Sequence, residues 1–301
     1  PEGHPLTLAQ YKFKELVEEQ SEGRIKVDVF PANQLGGNVQ MNEAVQQGSL
    51  TMTYSSLSYM GANFEPRFNI FSLPFIITPE NIEQAYTLID SKEMAGLNAA
   101  LEAKGFKVLG YAQIGFRHIT NSKRPIEQPA DLDGIKIRLQ PNETHLASFR
   151  LLGANPTSMD WGEVYSALQQ HVIDAQENPL DIIYTNKMYE VQKYLSLSGH
   201  FFDFAGFWMN KGFFDKLPVD LQQVVLDAGA EAIQYQRQVS TAANADYLEK
   251  LKSALGVNEI APDNLKLFQE KVHPMYADYL NNTQDKDFAR TVLSALGINV
   301  E

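Results

Sequence analysis

The sequence predicts an α/β protein, and three observations support this fold class. Helical and strand patterns alternate through the first third of the 301 residues, which is typical of strand–helix units around a mostly parallel, doubly wound sheet. A helix, a short strand and a polar strand end follow one another in 160–178. A helical pattern then runs almost unbroken over 220–255. That helix would be about 50 Å long at about 1.5 Å per residue, which is too long for one small domain.

The first third contains four predicted helices and three predicted strands. Apolar residues recur every three or four positions in the helices and alternate with polar residues in the strands. Asn38, after two glycines, is predicted to cap the second helix. The helices are 6–22, 38–47, 79–90 and 91–104, and the strands are 25–29, 50–54 and 107–111.

Two strands in the central region bring polar side chains to one place. The strand 135–139 alternates and carries Arg138 on its polar side. The strand 172–175 ends in the polar run 176–178, and Pro179 closes it because a proline cannot continue a ladder. Ligands of α/β proteins bind at such strand ends. The sequence therefore predicts that these two stretches form opposite walls of one small-molecule pocket.

Helices flank these two strands, and further elements complete the chain. Asn142 is predicted to cap a helix that Gly153 ends. Asp160 and Glu163 have the spacing of a capping box at the start of another helix. The remaining elements are a helix to about 189, strands at 194–198 and 204–209, and helices over 264–298.

The composition excludes several classes of protein. A formal net charge of −12 argues against a nucleic-acid partner, which needs a basic surface. The sequence has no run of about 18 apolar residues, so no transmembrane helix is predicted. The chain begins at Pro1 without a signal-peptide pattern, which favours a processed form. There are no cysteines, which excludes disulfides and thiol chemistry but identifies no compartment.

Enzyme and cofactor motifs are missing from the sequence. The six histidines form no zinc-binding pair, and neither a nucleophile elbow nor a glycine-rich phosphate loop is present. The run 131–134 resembles only the start of a calcium loop and indicates a turn. No cofactor or metal is therefore predicted. An enzyme acting on sugar acids would need an acid–base pair, and the only crude candidates are His118 or His145 with Glu143.

Arg138 is the sharpest candidate for a ligand contact. A guanidinium pairs with a carboxylate through two parallel hydrogen bonds, and a buried carboxylate needs such a partner. Arg117 supplies a second cation, and Trp161 has an aromatic face on which a ligand can stack. Spacing alone leaves the alternatives open that Arg138 forms a surface salt bridge, that Trp161 is a core residue, and that Asn178 is a turn residue before a proline.

Eight segments, in the right order over nearly the whole chain, match a known family. They are Leu-Gly-Gly (35–37), Phe-Ser-Leu-Pro-Phe (71–75), Gly-Phe-Arg (115–117), Asn-Ser-Lys-Arg-Pro-Ile (121–126), Ile-Lys-Ile-Arg (135–138), Leu-Gly-Ala-Asn-Pro (152–156), Gly-Glu-Val-Tyr-Ser-Ala-Leu-Gln (162–169) and Gln-Glu-Asn-Pro-Leu (176–180). Together they resemble the DctP-like extracytoplasmic solute-binding proteins of tripartite ATP-independent periplasmic (TRAP) transporters. The resemblance implies a two-lobed, Venus-flytrap fold with the ligand between the lobes and a long helix bracing both.

The resemblance also divides the chain into lobes. Two crossing segments are expected to join them, and the breaks in the pattern at 121–125 and 202–206 are the candidates. Lobe I comprises 1–119 with 205–245, and lobe II comprises 120–204 with 246–301.

The resemblance assigns roles to four of the residues named above. Arg138 corresponds to the selectivity arginine that grips the ligand carboxylate, and Asn178 to an asparagine that contacts the same end. Arg117 resembles a second arginine found near the ligand. Trp161 stands where the family has an aromatic wall.

Five further residues are ligand-contact candidates. His4 and Asn38 fall in segments that line the other lobe's side of the cleft. Ser56 lies at a strand end. Gln140 and Asn142 belong to a run that is more polar than in many members, so they are expected to contact the hydroxyls of a uronate or an aldonate.

The chain departs from the family pattern at two places, position 57 and the N-terminal segment. Leu57 stands where the sialic-acid-binding branch has a glutamate, so sialic acid is not an expected ligand. Members usually begin with a strand before the Gly-His-Pro loop, and this chain lacks it; the chain is either trimmed or builds that lobe differently.

The resemblance implies a periplasmic binding protein and not an enzyme. Such a protein delivers a small organic-acid anion, here a sugar acid or a C4-dicarboxylate, to the membrane permease subunits of a TRAP transporter. It needs no cofactor, binds no nucleic acid and does not itself span the membrane. The alternatives are an ABC-type solute-binding protein, which would share the lobed fold, and an enzyme acting on sugar acids.

Overall fold

The computed structural model describes residues 1–299, which form thirteen α-helices and seven β-strands. The helices are α1 (Pro5–Gln20), α2 (Asn38–Gln47), α3 (Leu57–Asn63), α4 (Ile82–Ile89), α5 (Ala95–Ala103), α6 (Glu143–Leu152), α7 (Trp161–Gln169), α8 (Leu180–Thr185), α9 (Lys211–Lys216), α10 (Val219–Lys252), α11 (Pro262–Val272), α12 (Pro274–Asn282) and α13 (Lys286–Ala295). The strands are β1 (Met52–Ser56), β2 (Phe106–Asn121), β3 (Lys136–Leu139), β4 (Asn155–Ser158), β5 (Ala175–Asn178), β6 (Tyr194–Asn210) and β7 (Gly256–Glu259).

The seven strands of the described chain form one mixed sheet. Its order is β1-β6-β2-β5-β3-β4, and β7 also pairs with β6. The pairs β1–β6, β6–β2 and β2–β5 are antiparallel, whereas β5–β3, β3–β4 and β6–β7 are parallel. The α/β class is confirmed, but the prediction of a mostly parallel sheet is wrong. The reason is that β6 comes from late in the chain and lies antiparallel between β1 and β2.

Two long strands, β2 with 16 residues and β6 with 17, run through both halves of the sheet. Their pairing extends from Phe106 opposite Asn210 to Asn121 opposite Tyr194. The sequence predicted only short pieces of each. The expected crossing at 121–125 lies after the end of β2, and the one at 202–206 lies within β6. The connection between the halves is therefore made by the strands themselves.

Glycines allow β2 to bend without ending. The register against β6 shifts between Val108 and Gly110 and again between Gln113 and Gly115. Gly110 has φ +141° and Gly115 has φ +117°, and glycine adopts such positive values without the steric penalty of a Cβ. Each shift leaves an extra residue in one strand, which is a β-bulge and bends the ladder.

The long helix α10 has 34 residues and confirms the helix predicted over 220–255 to within a few residues. Val225 and Ala228 pack in an apolar cluster with α1 and one end of the sheet. Leu251, near the other end of the helix, packs in a second cluster with α7 and α8. Midway, the buried Gln236 exchanges two hydrogen bonds with the backbone of Gln113 in β2. The helix therefore braces both halves of the sheet.

The segment 25–29, predicted as a strand, forms no ladder. The Val27 N–H donates to Glu18 Oε1 at 3.0 Å, and the Val27 carbonyl accepts from the Lys14 ammonium. Side chains of α1 thus replace the strand partner that the alternating pattern led us to expect. A groove of about 420 Å³ is lined by both this segment and β1.

The second central strand is displaced by three residues from its prediction. β5 is Ala175–Asn178, and all four of its residues are buried. Gln176 donates to Thr120 Oγ1 at 2.7 Å, and Glu177 accepts from Arg117 at 2.6 Å. Both partners lie on β2, so polar side chains satisfy one another inside the sheet.

The helix caps follow the sequence in part. The Asn142 side chain caps α6 by accepting from the Thr144 N–H at 2.9 Å, as predicted. Asp160 occupies the N-cap position of α7, but its side chain makes no capping hydrogen bond. Gly37, and not Asn38, is the N-cap residue of α2.

Candidate functional site

A cavity of about 310 Å³ lies where the N-terminal loop, β1, β3, β5, α7 and α8 meet. Seven of the nine predicted site residues line it, namely His4, Asn38, Ser56, Arg138, Gln140, Trp161 and Asn178. Arg117 and Asn142 are not among the lining residues. The cavity thus unites residues from positions 4 to 178, although whether they touch a ligand stays a prediction.

Arg138 is a buried cation that has no carboxylate partner among the described residues. Only 1% of it is exposed, and its Nε and Nη2 atoms donate to the Met159 carbonyl at 2.9 and 2.7 Å. A guanidinium has five N–H donors, and none of the carboxylates in residues 1–299 forms an ion pair with this one. A buried charge left unpaired is unfavourable, so the cavity favours an anion.

Neighbouring elements hold this guanidinium in place. Arg138 lies on β3, opposite Thr157 of β4 and Gln176 of β5. Its guanidinium carbon is 5.6 Å from the centre of the Trp161 ring, a distance at which the ring face attracts a cation. Trp161 is the first residue of α7 and follows the loop that supplies the Met159 carbonyl. The same turn therefore orients both the cation and the aromatic wall.

Asn178 presents a hydrogen-bond donor beside Arg138. Its Oδ1 accepts from Arg117 Nη2 at 3.0 Å, and its Nδ2 donates to Gln176 Oε1 at 2.5 Å. Arg117 can only donate, which fixes the orientation of the amide. Gln176 is the only acceptor of Nδ2 among the described residues, so its second N–H is unused, and Asn178 lines the cavity. Arg138 and Asn178 together can donate to both oxygens of a carboxylate.

Arg117 is part of a buried ion cluster and does not line the cavity. Its Nε and Nη2 donate to the two carboxylate oxygens of Glu177 at 2.6 and 2.8 Å, and Nη1 donates to Asp203 Oδ2 at 3.3 Å. The guanidinium is fully buried. Arg117 orients the Asn178 amide by donating to its Oδ1, and whether Arg117 also contacts a ligand stays a prediction. Sequence reasoning missed Glu177 and Asp203 as its partners.

The carboxylates of this cluster have shifted pKa values. Burial alone would raise the pKa of Glu177, but the charge and hydrogen bonds of Arg117, followed by those of His200, hold it below its ordinary value. Burial raises the pKa of Asp203 to about 6, although Arg117 and the Ser56 hydroxyl oppose the rise. Glu177 is therefore the firm counter-ion of Arg117.

A chain of hydrogen bonds through Ser56 and Ser58 connects the end of β1 to Gln140, which follows β3. The Ser56 hydroxyl donates to Asp203 at 2.7 Å, and the Ser58 hydroxyl donates to Gln140 Oε1 at 2.5 Å. Asn142 lies farther from the cavity, where its Nδ2 donates to the Ser58 carbonyl at 2.9 Å. Its amide caps α6 and ties it to α3, and whether Asn142 also contacts ligand hydroxyls stays a prediction.

Several tyrosines of the cavity lining were not identified from the sequence. Tyr54, Tyr59 and Tyr165 line it, together with Asn33 and Asn186. The aromatic residues of 54–75 were interpreted as packing, which holds for most of them. The available signal was that Tyr54 and Tyr59 flank the short polar run at the end of the predicted strand 50–54.

The acid–base candidates lie outside the cavity lining. His145 stacks on Phe201 with 4.2 Å between ring centres, and His118 Nδ1 accepts the Gly199 N–H at 3.1 Å. Burial lowers the pKa of each histidine to about 3. Glu143 is exposed and pairs with Arg150. These groups offer no acid–base pair to a molecule in the cavity.

Among residues 1–299, no three histidine, aspartate or glutamate side chains are arranged to hold a metal ion. None of the helices in that range combines the length and hydrophobicity needed to cross a bilayer.

The chain is similar in sequence to bacterial binding proteins. Residues 1–283 match the family model described as bacterial extracellular solute-binding protein, family 7. The chain is 35% identical over 263 residues to the 2,3-diketo-L-gulonate-binding periplasmic protein YiaO of Escherichia coli. That match covers 87% of this chain and 79% of the relative.

Two solved structures share the fold. The sugar acid binding protein DctPAm of Advenella mimigardefordensis, in complex with galactonate, has a TM-score of 0.94 and 35% identity, over 99% of this chain and 95% of that one. A TRAP periplasmic solute binding protein of Sulfurospirillum deleyianum, with bound succinate, has a TM-score of 0.91 and 31% identity, over 98% and 96% of the two chains. The described chain thus has the fold of these two proteins along nearly its whole length.

Proposed function

The chain belongs to bacterial extracellular solute-binding protein family 7, the solute-binding proteins of TRAP transporters, and from that premise we propose that its cavity captures a small organic-acid anion. The observation that carries the proposal is the buried Arg138 guanidinium, which lines the cavity and has no carboxylate partner in residues 1–299. An incoming carboxylate would supply the missing counter-ion. Its two oxygens would accept from the free donors of Arg138 and from Asn178 Nδ2.

The rest of the lining favours a hydroxylated acid with one carboxylate. Arg138 is the only arginine or lysine among the lining residues that the structure describes. A second carboxylate would find no such cation, whereas hydroxyl groups would find neutral partners such as Ser56, Asn38, Tyr59 and Gln140. A buried polar group must be hydrogen-bonded. A sugar acid, such as an aldonate or a uronate, meets these requirements better than a C4-dicarboxylate does.

The galactonate bound to DctPAm supports this choice, since that protein is 35% identical to the chain. The Sulfurospirillum protein binds succinate, so a dicarboxylate is the second class of ligand to be tested.

Capture is proposed to involve closure of two lobes, 1–119 with 205–245 and 120–204 with 246–301. Hydrogen bonds that depend on closure would be those from Ser58 to Gln140 and from Asn142 to the Ser58 carbonyl. They join the β1–α3 side of the cavity to the β3–α6 side. The long strands β2 and β6 would act as hinges, with the bulge at Gly115 absorbing the rotation. A ligand that contacts both sides favours the closed state.

The setting follows from the family. We place the protein in the periplasm, where it delivers the bound acid to TRAP permease subunits. The protein would act by binding alone, without turnover, cofactor or nucleic acid. The relative in Escherichia coli carries the word periplasmic in its name.

A ligand panel tests the proposed function. We expect D-galactonate, D-glucuronate and D-galacturonate to raise the unfolding temperature, since a ligand at about 100 times its Kd stabilises the folded state by about 2.7 kcal/mol. Neutral D-galactose is the matched control for the carboxylate, and succinate tests the preference for one carboxylate. Equal stabilisation by galactose and galactonate would refute carboxylate capture. A response to succinate alone would refute the sugar-acid assignment.

Replacing Asn178 with aspartate should weaken acid binding. The substitution keeps the size and the oxygen that Arg117 contacts, but it exchanges the Nδ2 donor for an acceptor beside the ligand carboxylate. We expect an affinity loss of roughly tenfold or more, because a hydrogen bond to a charged group contributes about 1.5–3 kcal/mol. Calorimetric titration with the best acid of the panel measures it. Asn258→Asp is a control at a site that does not line the cavity.

A further inference from the structure

His4 and Asp181 form a buried pair behind the cavity wall. His4 Nε2 lies 3.4 Å from Asp181 Oδ2, and both side chains are less than one-tenth exposed. Neither atom has a hydrogen-bond partner in residues 1–299. His4 lines the cavity, whereas Asp181 lies on α8, three residues after Asn178. Buried polar atoms are normally paired, so each of these atoms depends on the other.

The cap of α1 determines which of the two side chains, His4 or Asp181, can gain or lose a proton. His4 is the N-cap residue of α1, and its Nδ1 accepts the Leu6 N–H at 3.2 Å. An accepting Nδ1 carries no proton, so the ring proton is on Nε2, which faces Asp181. A second proton on the ring would break the cap. Burial also lowers the pKa of His4 to about 3. The pair therefore gains and loses its proton at Asp181.

The surroundings of Asp181 keep it poised near neutrality. Burial raises its pKa to about 7, and hydrogen bonds from the backbone N–H groups of Ile182 and Asp181, followed by the charge of Arg117, oppose the rise. Among the described residues, the other titratable or charged side chains that face the pair are Tyr54 on β1, Arg117 on β2 and Tyr247 on α10. Burial raises the pKa of Tyr54 to about 12 and raises that of Tyr247, so both tyrosines stay neutral.

We propose that capture of an anion in this cavity is linked to the uptake of a proton by Asp181. The inference rests on the proposed function, since it needs an anionic ligand. A ligand charge beside His4 makes a second negative charge on Asp181 less favourable. Linkage is reciprocal, so a ligand that favours the protonated carboxyl binds more tightly when that carboxyl is already protonated.

The sign of the pH dependence follows from this linkage. The bound anion raises the pKa of Asp181 above its value in the free protein. Affinity is therefore highest when the pH is below the pKa of Asp181 in the free protein. It falls as the pH rises from that pKa through the pKa of Asp181 in the complex. The fall is at most about tenfold per pH unit, which corresponds to one proton. The carboxyl group of the ligand is fully ionised over this pH range, so it contributes no change in protonation.

Asp203 is the rival group and provides a matched control. Its pKa is raised to about 6 by burial, and its partner Ser56 lines the cavity. Arg117 lies 3.3 Å from it and compensates its charge, whereas the nearest side chain that pairs with Asp181 in residues 1–299 is the neutral His4. Asp181→Asn should abolish the linked proton, and Asp203→Asn should retain it.

The first test needs no ligand. Carbon-13 carboxyl NMR of the free protein, titrated with pH, should show one resonance with a midpoint near 7 that is missing in Asp181→Asn. A midpoint for Asp181 near its ordinary value of 3.8 would overturn the proposal. Should Asp181→Asn fail to fold, His4→Asn replaces it, because asparagine preserves the cap and removes the Nε2 donor. The Asp181 midpoint should then rise further.

The second test measures the proton directly. Calorimetric titration with D-galactonate in phosphate and in Tris, at about pH 6, 7 and 8, gives the number of protons taken up on binding. We expect net uptake by the wild-type protein and by Asp203→Asn, and none by Asp181→Asn. Tight binding without uptake, or uptake that survives in Asp181→Asn, would overturn this inference and leave the proposed function standing. Failure of every acid in the panel to bind would overturn both.

Discussion

Replacing Arg138 with lysine should abolish tight binding of the organic acid and leave the fold intact. The free protein loses only hydrogen bonds to the Met159 carbonyl, worth about 1 kcal/mol each. The complex loses the planar fork that matches a carboxylate. Disrupting one partner of a buried charge pair costs roughly 2–5 kcal/mol, and about 1.4 kcal/mol is tenfold in Kd. We therefore expect affinity to fall by at least about 30-fold.

Arg150→Lys is the matched control for this substitution. Arg150 lies on α6, and its half-exposed side chain pairs with Glu143 away from the cavity. Calorimetric titration of both variants with the same acid gives the comparison, and circular dichroism verifies the fold. An unchanged Kd in Arg138→Lys would contradict the role of Arg138 as the carboxylate partner.

Replacing Arg117 with methionine should cause the largest loss of stability. The substitution leaves Glu177 and Asp203 buried without their cation. Removal of one partner from a buried ion pair destabilises a protein by roughly 3–5 kcal/mol. Denaturant unfolding of the free protein measures this loss. Arg24→Met is the control, since Arg24 pairs with Asp220 at a comparable 2.6 Å but both side chains are about half exposed, and such a pair contributes about 0–1 kcal/mol.

The destabilisation by Arg117→Met should also depend on pH. In the folded wild-type protein the pKa of Glu177 is held below its ordinary value of 4.5. The stability that the pair supplies is therefore present above pH 4.5 and is lost as the pH falls below it. The difference between wild type and variant should shrink in acid. A loss below about 1 kcal/mol at neutral pH, equal to that of the surface pair, would contradict the structural role of the cluster.

Local patterns in the sequence predicted the elements whose structure is local. The 34 residues of α10 follow from apolar residues at helical spacing, and the cap of α6 follows from the hydrogen-bonding habit of Asn142. The length of β2 could not be predicted in this way. Its bulges at Gly110 and Gly115 interrupt the alternation of apolar and polar residues, so a continuous strand looks like a short one.

The candidate site was predicted as a set of residues, but not the role of each. Arg138 and Arg117 look alike in sequence, as arginines on alternating strands. Their difference comes from partners far along the chain, since Glu177 and Asp203 lie 60 and 86 residues after Arg117. No local pattern carries that pairing. The His4–Asp181 pair could not be predicted for the same reason, because the two residues lie far apart in the sequence and meet only in the folded chain.

The most direct test of anion capture is a crystal structure of the protein with the panel acid that stabilises it most. We expect the acid in the cavity lined by Arg138, Asn178 and Trp161, with its carboxylate oxygens about 2.7–2.9 Å from the guanidinium nitrogens of Arg138. A carboxylate bound elsewhere, with only hydroxyl or apolar groups of the ligand against Arg138, would contradict it.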